Sequence, residues 1–494
     1  MKFKKQSEKH PTRTTRRIAW RGALWLAAIL LVTMGGASMA QDGNDHGSWQ
    51  PKRHFPDTTN GIYAYTDQMD MTGLTAAQIQ FAATHYVGGQ KQTTAEAASL
   101  RAYNPKFLIM HYRLGEMLGY GACDANGNAT DANPLTIIDK TWVEEWPGDA
   151  VVKPNWFYYY DDSKVYACDE QHYLMNIADP GWRAFYSRQV IKELIDNDDD
   201  AVFADSFSVP DVWQDWNPEL DYATWIGSGP PNLETKWSGM IHDFTDYMRA
   251  QLRGRWLWIP NVGSWVVTRD ITDYSNVDGA MIEDFADYGN ANFLAPVDWV
   301  TQMDRALSLV NLDKILIAQS YPGAYGGYNF ERQEILASYL LIKGRHTYLN
   351  LDASGGSDPG GLTLQWWPDY EIELGPPIEP LPRDNDITKL WNPSWNVYER
   401  TYANGIVLVN TTYNDTGTIT LPHTYYMVVG DGNSSGAAVP ADPTNWPTQN
   451  TLSYQAVTSV DLAGCNDGNG PAGSSYAYET PCVAILLDRM PDQK

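Results

Sequence analysis

Between residues 61 and 352, short apolar or aromatic runs take turns with longer stretches in which apolar side chains recur every three or four positions. The short runs predict β-strands over 61–65, 85–87, 107–113, 201–207, 256–261, 280–283, 315–320 and 346–352. The longer stretches carry the period of an amphipathic helix and predict helices over 76–83, 94–103, 237–252, 297–310 and 331–342. The clearest helix opens at Asp179-Pro180-Gly181, where Asp179 can accept from free backbone N–H groups and Pro180 suits the first turn. Trp182, Phe185, Tyr186, Val190, Ile191, Leu194 and Ile195 then line one face of it. Eight strands separated by helices over roughly 300 residues predict an α/β fold, a (β/α)8 TIM barrel. A doubly wound open sheet is the alternative, but neither GxGxxG nor a P-loop follows the first strand.

The pattern is interrupted at 115–177, far longer than an ordinary βα loop and carrying Cys123, Cys168 and the run Trp156-Phe157-Tyr158-Tyr159-Tyr160. Such an insertion either shapes an active-site rim or folds as a decorative subdomain around its own aromatics. After Ala353-Ser354-Gly355-Gly356 and the proline-rich stretch 375–380, the chain turns to short strands at 396–401, 405–410, 417–421, 425–429, 456–461 and 483–487. These predict a small antiparallel β-sandwich domain. The expected division is a signal peptide over 1–40, a lead-in over 41–60, the barrel over 61–385 with its inserted loop 115–177, and the β-sandwich over 390–490.

The first forty residues carry a basic region from Lys2 to Arg21, an apolar run over 22–32 and the small-residue end Ser38-Met39-Ala40. That is the layout of a cleavable secretory signal, cut between Ala40 and Gln41, and it predicts a secreted or periplasmic protein. An uncleaved anchor is the rival reading, and Arg16-Arg17 permits a twin-arginine route. Removing a segment of net charge +7 takes the formal charge from −25 to −32. A surface so negative disfavours nucleic acid and anionic lipid as partners, which leaves a neutral or cationic substrate. The pairings Cys123–Cys168 and Cys465–Cys482 are the economical choice among three connectivities. Scattered histidines and the lack of any Cys/His spacing predict no metal site and no cofactor.

Barrels of this kind carry their chemistry at the C-terminal ends of the strands. Alternation along the strands puts Asp205 on the face of Phe203, and Gln319 on the face of Ile317 and Ile315. It groups His111 with Arg113, ends the fifth strand on Asn261, and groups His346, Tyr348, Asn350 and Asp352 on the eighth. Asp205 and Glu283 end the fourth and sixth strands and are the expected pair flanking a glycosidic bond, one donating a proton and the other stabilising or attacking the oxocarbenium centre. Asp284 competes with Glu283, because adjacent strand residues point oppositely and one of them alone faces inward. His111, Arg113, Asn261, Gln319 and Asp352 are the expected substrate-binding residues. Trp213, Trp216, Trp265, Tyr321, Tyr325, Trp366 and Trp367 crowd near the strand ends as candidate sugar platforms, although large aromatics taken singly more often serve the core.

FADSFSVP (203–210), DGAMIEDFAD (278–287), ILIAQSYPG (315–323), YLNLD (348–352), LGPP (374–377) and VYERTYANGIVLVN (397–410) together resemble the hypothetical glycoside hydrolases of family fifteen. More distantly the chain is similar to endo-polygalactosaminidases and α-galactosidases. The resemblance implies a catalytic barrel followed by a β-sandwich, with a fourth-strand nucleophile mapping to Asp205 and a sixth-strand proton donor mapping to Glu283. The expected activity is that of an exported glycoside hydrolase acting on an oligo- or polysaccharide. A non-catalytic carbohydrate-binding or cell-envelope scaffold is the alternative, since a fold alone guarantees no catalysis.

Overall fold

The computed structural model describes residues 51–119, 142–143, 153–160, 163–167, 172–209, 233–266, 270–289, 292–322, 329–352, 364–429, 438–445, 452–465 and 481–491. The expected signal peptide, the Cys123–Cys168 pairing, Trp213, Trp216 and Tyr325 lie outside them. Residues Trp49–Lys494 form one compact unit.

Eight parallel strands make the barrel: β1 (Ala64–Gln68), β2 (Tyr86–Gln90), β3 (Leu108–Leu114), β4 (Ala201–Asp205), β5 (Leu257–Pro260), β6 (Gly279–Ile282), β7 (Ile315–Ser320) and β8 (Thr347–Leu351). Their order is β5-β4-β3-β2-β1-β8-β7-β6, and Trp142–Val143 adds a short parallel strand beside β3. The circle closes through a parallel bridge between Asn261 and Met281, with the Asp278 amide donating to the Trp258 carbonyl at 3.1 Å. Helices α1 (Ala76–His85), α2 (Thr94–Tyr103), α3 (Pro180–Asn197), α4 (Leu233–Leu252), α5 (Pro296–Val310) and α6 (Asn329–Ile342) cross between strands. From β5 to β6 the described connection carries a 3-10 turn at Tyr274–Asn276 in place of a helix.

The helices start where side chains satisfy their first amides. Thr75 with Gln78 and Thr93 with Glu96 form reciprocal capping boxes at α1 and α2. Asp179 accepts from the amides of Gly181 at 2.7 Å and Trp182 at 3.0 Å, fixing the start of α3. The face so aligned buries Trp182, Phe185, Tyr186, Val190 and Leu194, each contributing about 1.5–3 kcal/mol by leaving water. Ile195, expected on that face, lies at its edge and is 54% exposed.

The C-terminal region forms one antiparallel sheet of β9 (Trp391–Asn392), β10 (Val397–Tyr402), β11 (Gly405–Val409), β12 (Thr418–Val429), β13 (Ser453–Asp461) and β14 (Val483–Leu487). Its order is β9-β10-β11-β14-β12-β13. The strands expected at 417–421 and 425–429 are the single β12, whose register with β13 shifts between Thr420 and Tyr425, around Pro422. One face of the sheet, including Val407, Val409, Ile485 and Leu487, joins the main core, while Ile406, Leu408 and Leu486 belong to a separate cluster on the other. Buried Arg400 donates to the carbonyls of Leu340, Leu341 and Lys343 at 2.8–3.0 Å, satisfying the C-terminal end of α6 with a cation where its dipole is negative. Cys465 and Cys482 form the expected disulfide.

Candidate active site

The barrel interior is filled up to a definite level. Tyr65, Leu108, Met110, Tyr112, Ala201, Phe203, Ile259, Met281, Ile315, Ile317 and Tyr348 form one apolar cluster inside the strands. One step beyond it towards the C-terminal ends, hydrogen-bonding side chains replace hydrocarbon: Asp67, Asp205, Asn261, Glu283, Gln319 and Asn350, joined by the Tyr112 hydroxyl and by Lys91.

These groups form one connected ring. Asp205 accepts from the Tyr112 hydroxyl at 2.5 Å on Oδ2, and from Asn261 Nδ2 at 2.8 Å and its neighbour Ser206's amide at 3.0 Å on Oδ1. The same Asn261 nitrogen donates to Glu283 Oε2 at 2.5 Å. Two bonds to one atom hold the facing oxygens of Asp205 and Glu283 no further apart than their combined length, about 5.3 Å. The Tyr321 hydroxyl donates to Glu283 Oε1, and Gln319 Nε2 donates to that hydroxyl at 2.6 Å. Gln319 also reaches Asp67 Oδ2 at 3.4 Å and accepts from Asn350 at 2.9 Å. Gln90 donates to Asp67, whose Oδ1 lies 3.3 Å from Lys91 Nζ, and the same ammonium stands 4.7 Å above the Tyr112 ring.

The electrostatics differentiate the members. Burial and the neighbouring Asp205 push Glu283 up to about 7, against the lowering effect of the hydrogen bonds from Tyr321 and Asn261. Burial works to lower Lys91, but Asp67, Asp205 and Glu283 outweigh it and the pKa is raised. Asp284 takes a left-handed backbone, φ 56°, and burial pushes it up to about 6. Among the described residues no hydrogen bond joins its carboxylate to the ring, so Glu283 is the one that faces Asp205.

Asp205, Glu283, Asn261 and Gln319 are thus brought together, and three expected site residues are not. His111 and Arg113 point out of the barrel, because Leu108, Met110 and Tyr112 occupy the inward positions of β3. His111 lies between Asp199 at 3.1 Å and Glu193 at 3.0 Å, and Arg113 is 3.5 Å from Glu193, all beneath α3. Their expected substrate contacts are therefore replaced by a buried polar cluster. Asp352 is buried just past β8, close enough to Tyr86 and Tyr370 to help raise their phenol pKa values. Trp265, Trp366 and Trp367 are core residues, while Tyr321 belongs to the ring.

Asp67, Lys91, Tyr112 and Tyr321 had no assigned role at the sequence level, apart from the last as a platform. Ending β1 at Tyr65 and β2 at Val87 cut off both polar ends, although counting two residues on from Tyr65 reaches Asp67. The pair Gly88-Gly89 follows directly on the expected strand end at Val87. In the fold it lets β2 pass between its neighbours, since a Cβ on Gly88 would come within 2.5 Å of the Leu108 carbonyl oxygen and one on Gly89 within 2.9 Å of Thr66.

Among solved structures the chain is similar to a noncanonic maltogenic alpha-amylase from Thermotoga neapolitana, at 8% identity and a TM-score of 0.39, covering 86% of this chain and 98% of that one. It is also similar to a cycloisomaltooligosaccharide glucanotransferase from a Paenibacillus species, at 11% identity and a TM-score of 0.32, covering 87% of this chain and 58% of that one. No curated protein matches it. The family model of hypothetical glycosyl hydrolase family 15 matches residues 101–406, a stretch that runs from α2 through β11 and contains Asp205, Asn261 and Glu283. The chain belongs to that family of glycosyl hydrolases.

Proposed function

We propose that the protein is an exported, retaining glycoside hydrolase in which Asp205 is the nucleophile and Glu283 the general acid/base. The observation that carries this reading is the Asn261 nitrogen shared by both carboxyl groups, which keeps their facing oxygens within about 5.3 Å. Retaining enzymes hold the two groups about 5–5.5 Å apart, whereas inverting enzymes need roughly 6.5–9.5 Å to admit a water.

In the first step an Asp205 oxygen attacks the anomeric carbon as the bond to the leaving oxygen breaks, and Glu283 gives that oxygen its proton. Tyr112, Asn261 and the Ser206 amide fix the direction of the attacking carboxylate. A Glu283 pKa of about 7 suits the donor role near neutral pH. In the second step Glu283, now ionised, takes a proton from water as that water displaces Asp205 from the anomeric carbon. Export is supported by the basic and apolar segments ahead of Gln41, and N-terminal sequencing of protein recovered outside the cytoplasm should begin there.

The test is release of reducing ends from a polysaccharide panel by wild type, Asp205→Asn and Glu283→Gln, with the first-formed anomer followed by NMR. Both variants are expected to lose about 100- to 10,000-fold in rate, and the first product should keep the substrate's anomeric configuration. Full activity in both, or an inverted first product, removes the proposal.

A further inference from the structure

Asp67 and Lys91 stand at the ends of β1 and β2, which lie opposite β5 and β6 in the barrel circle. The hydrolytic steps above use neither. Their side chains are 10% and 19% exposed, so each is largely buried yet keeps part of its surface accessible. Gln90 and Gln319 hold Asp67, and Gln319 ties it through Tyr321 to Glu283. Lys91 is a non-glycine residue at φ 56°, a conformation that costs energy and persists where the surroundings impose it.

We infer that Asp67 and Lys91 form the hydroxyl-binding half of the sugar subsite, gripping adjacent hydroxyls of a neutral hexose unit whose anomeric carbon faces Asp205. The inference rests on the reading of Asp205 and Glu283 as the reacting pair. The oxygen–nitrogen distance of 3.3 Å puts an acceptor beside a donor. A sugar hydroxyl is both, so one hydroxyl donates to Asp67 while its neighbour accepts from Lys91. The same arrangement selects by charge. Among the described residues, Asp67, Asp205 and Glu283 share the mouth with the Lys91 ammonium, already engaged by Asp67, so the carboxylate of a uronic acid would meet repulsion that this ammonium does not offset.

The test uses dinitrophenyl glycosides of neutral hexoses, their monodeoxy analogues and the matching uronides, with wild type, Asp67→Asn and Lys91→Met. On the best neutral glycoside each variant should lose about 10- to 100-fold in kcat/KM, the value of a hydrogen bond to a charged group. On the analogue lacking the gripped hydroxyl, variant and wild type should agree within about threefold. Uronides should react at least about 100-fold more slowly than the neutral sugar. Equal losses on parent and all deoxy analogues would mean that the pair only braces the fold, and uronides reacting as fast as neutral sugars would remove the charge argument. Either result overturns the inference. Binding of the neutral hexoses to Glu283→Gln, measured by NMR, separates the two readings. Binding that Asp67→Asn abolishes supports the subsite whether or not Glu283→Gln still turns over. Absence of any binding, by hexose or glycoside, overturns the subsite.

Discussion

Ser206 and Asp284 share a backbone conformation, φ 50° and 56°, and each directly follows one of the two facing acids, Asp205 and Glu283. A left-handed turn costs a side-chain-bearing residue roughly 1–2 kcal/mol. The same device thus turns the chain immediately past each acid, at the end of β4 and one residue beyond β6, and sets the direction in which each carboxylate leaves the wall.

Glycine adopts that conformation freely, so Asp284→Gly should raise stability by up to about 1 kcal/mol. It also removes a carboxyl whose ionisation burial resists. Ser206→Val, with a β-branched side chain, should lower stability by about 1–3 kcal/mol. Urea midpoints measure both, and a destabilised Asp284→Gly would mean that the Asp284 side chain holds the turn.

The rate should follow the protonation of Glu283. Its donor form is present below about pH 7 and lost above it, so kcat/KM should fall on the alkaline side with an apparent pKa near that value. Tyr321→Phe removes a hydrogen bond that lowers this pKa, and the alkaline limb should move upward. Stability carries the matching signature. A carboxyl with a folded pKa of about 7 and an ordinary value of 4.5 binds more protons when folded, so its contribution falls as pH rises between the two. Glu283→Gln should therefore gain melting temperature over wild type at about pH 8 relative to about pH 5. A gain independent of pH would assign the effect to packing.

The cluster beneath α3 should govern folding while leaving substrate contacts untouched. Arg113→Met takes from Glu193 one of the two cationic partners beside it, His111 remaining, at a cost of about 1–3 kcal/mol. Burial works against a charged His111, but its hydrogen bonds to Asp199 and Glu193 outweigh this and raise the pKa above 6.5. The stabilisation from that ring is fully present below pH 6.5 and is lost as pH climbs through the raised value. The melting-temperature deficit of His111→Gln should accordingly be larger at about pH 6 than at about pH 9, with KM unchanged. A rise in KM for either variant would return these residues to the substrate.

Arg400 joins the sheet to the barrel by serving three carbonyls at the end of α6. Arg400→Met should cost about 2–5 kcal/mol by stranding them. Burial first, and Arg400 second, depress Lys343 to about 7. In wild type, stability from Lys343 should rise with pH from about 7 towards its ordinary 10.5, because the folded state binds fewer protons there. The Arg400 variant should show a weaker rise in denaturation measured across that range.

The element pattern was legible because the helices bear their own start signals, such as Asp179-Pro180, and because β14, an uninterrupted apolar run, and β7, an apolar run closed by Gln319-Ser320, match their expected bounds. Asp205, Asn261, Glu283 and Gln319 were legible for a related reason: each follows an apolar inward neighbour two residues earlier. On β3 that logic fails, since Leu108, Ile109 and Met110 are apolar on both faces, as a strand buried on both sides requires, and leave the phase of the alternation undetermined. The acids that attract His111 and Arg113 outward, Glu193 and Asp199, lie eighty or more residues further along the chain. Asp67 and Lys91 lie beyond the apolar runs that set the expected strand ends at Tyr65 and Val87, and the role of the glycines that follow Val87 depends on how closely β1 and β3 approach β2.

The joint between β5 and β6 has a consequence for the outcome of the reaction. Among the described residues it is secured by a single ladder bridge at Asn261 and Met281, together with a few flanking amide contacts, and its crossover there carries a 3-10 turn rather than a helix. Asn261 therefore serves at once as the clasp of the cylinder and as the spacer between the two acids. On the proposed mechanism, any loosening of that clasp would widen the gap towards room for a water molecule, so the handedness of the released sugar would depend on how firmly this one joint in the wall is held.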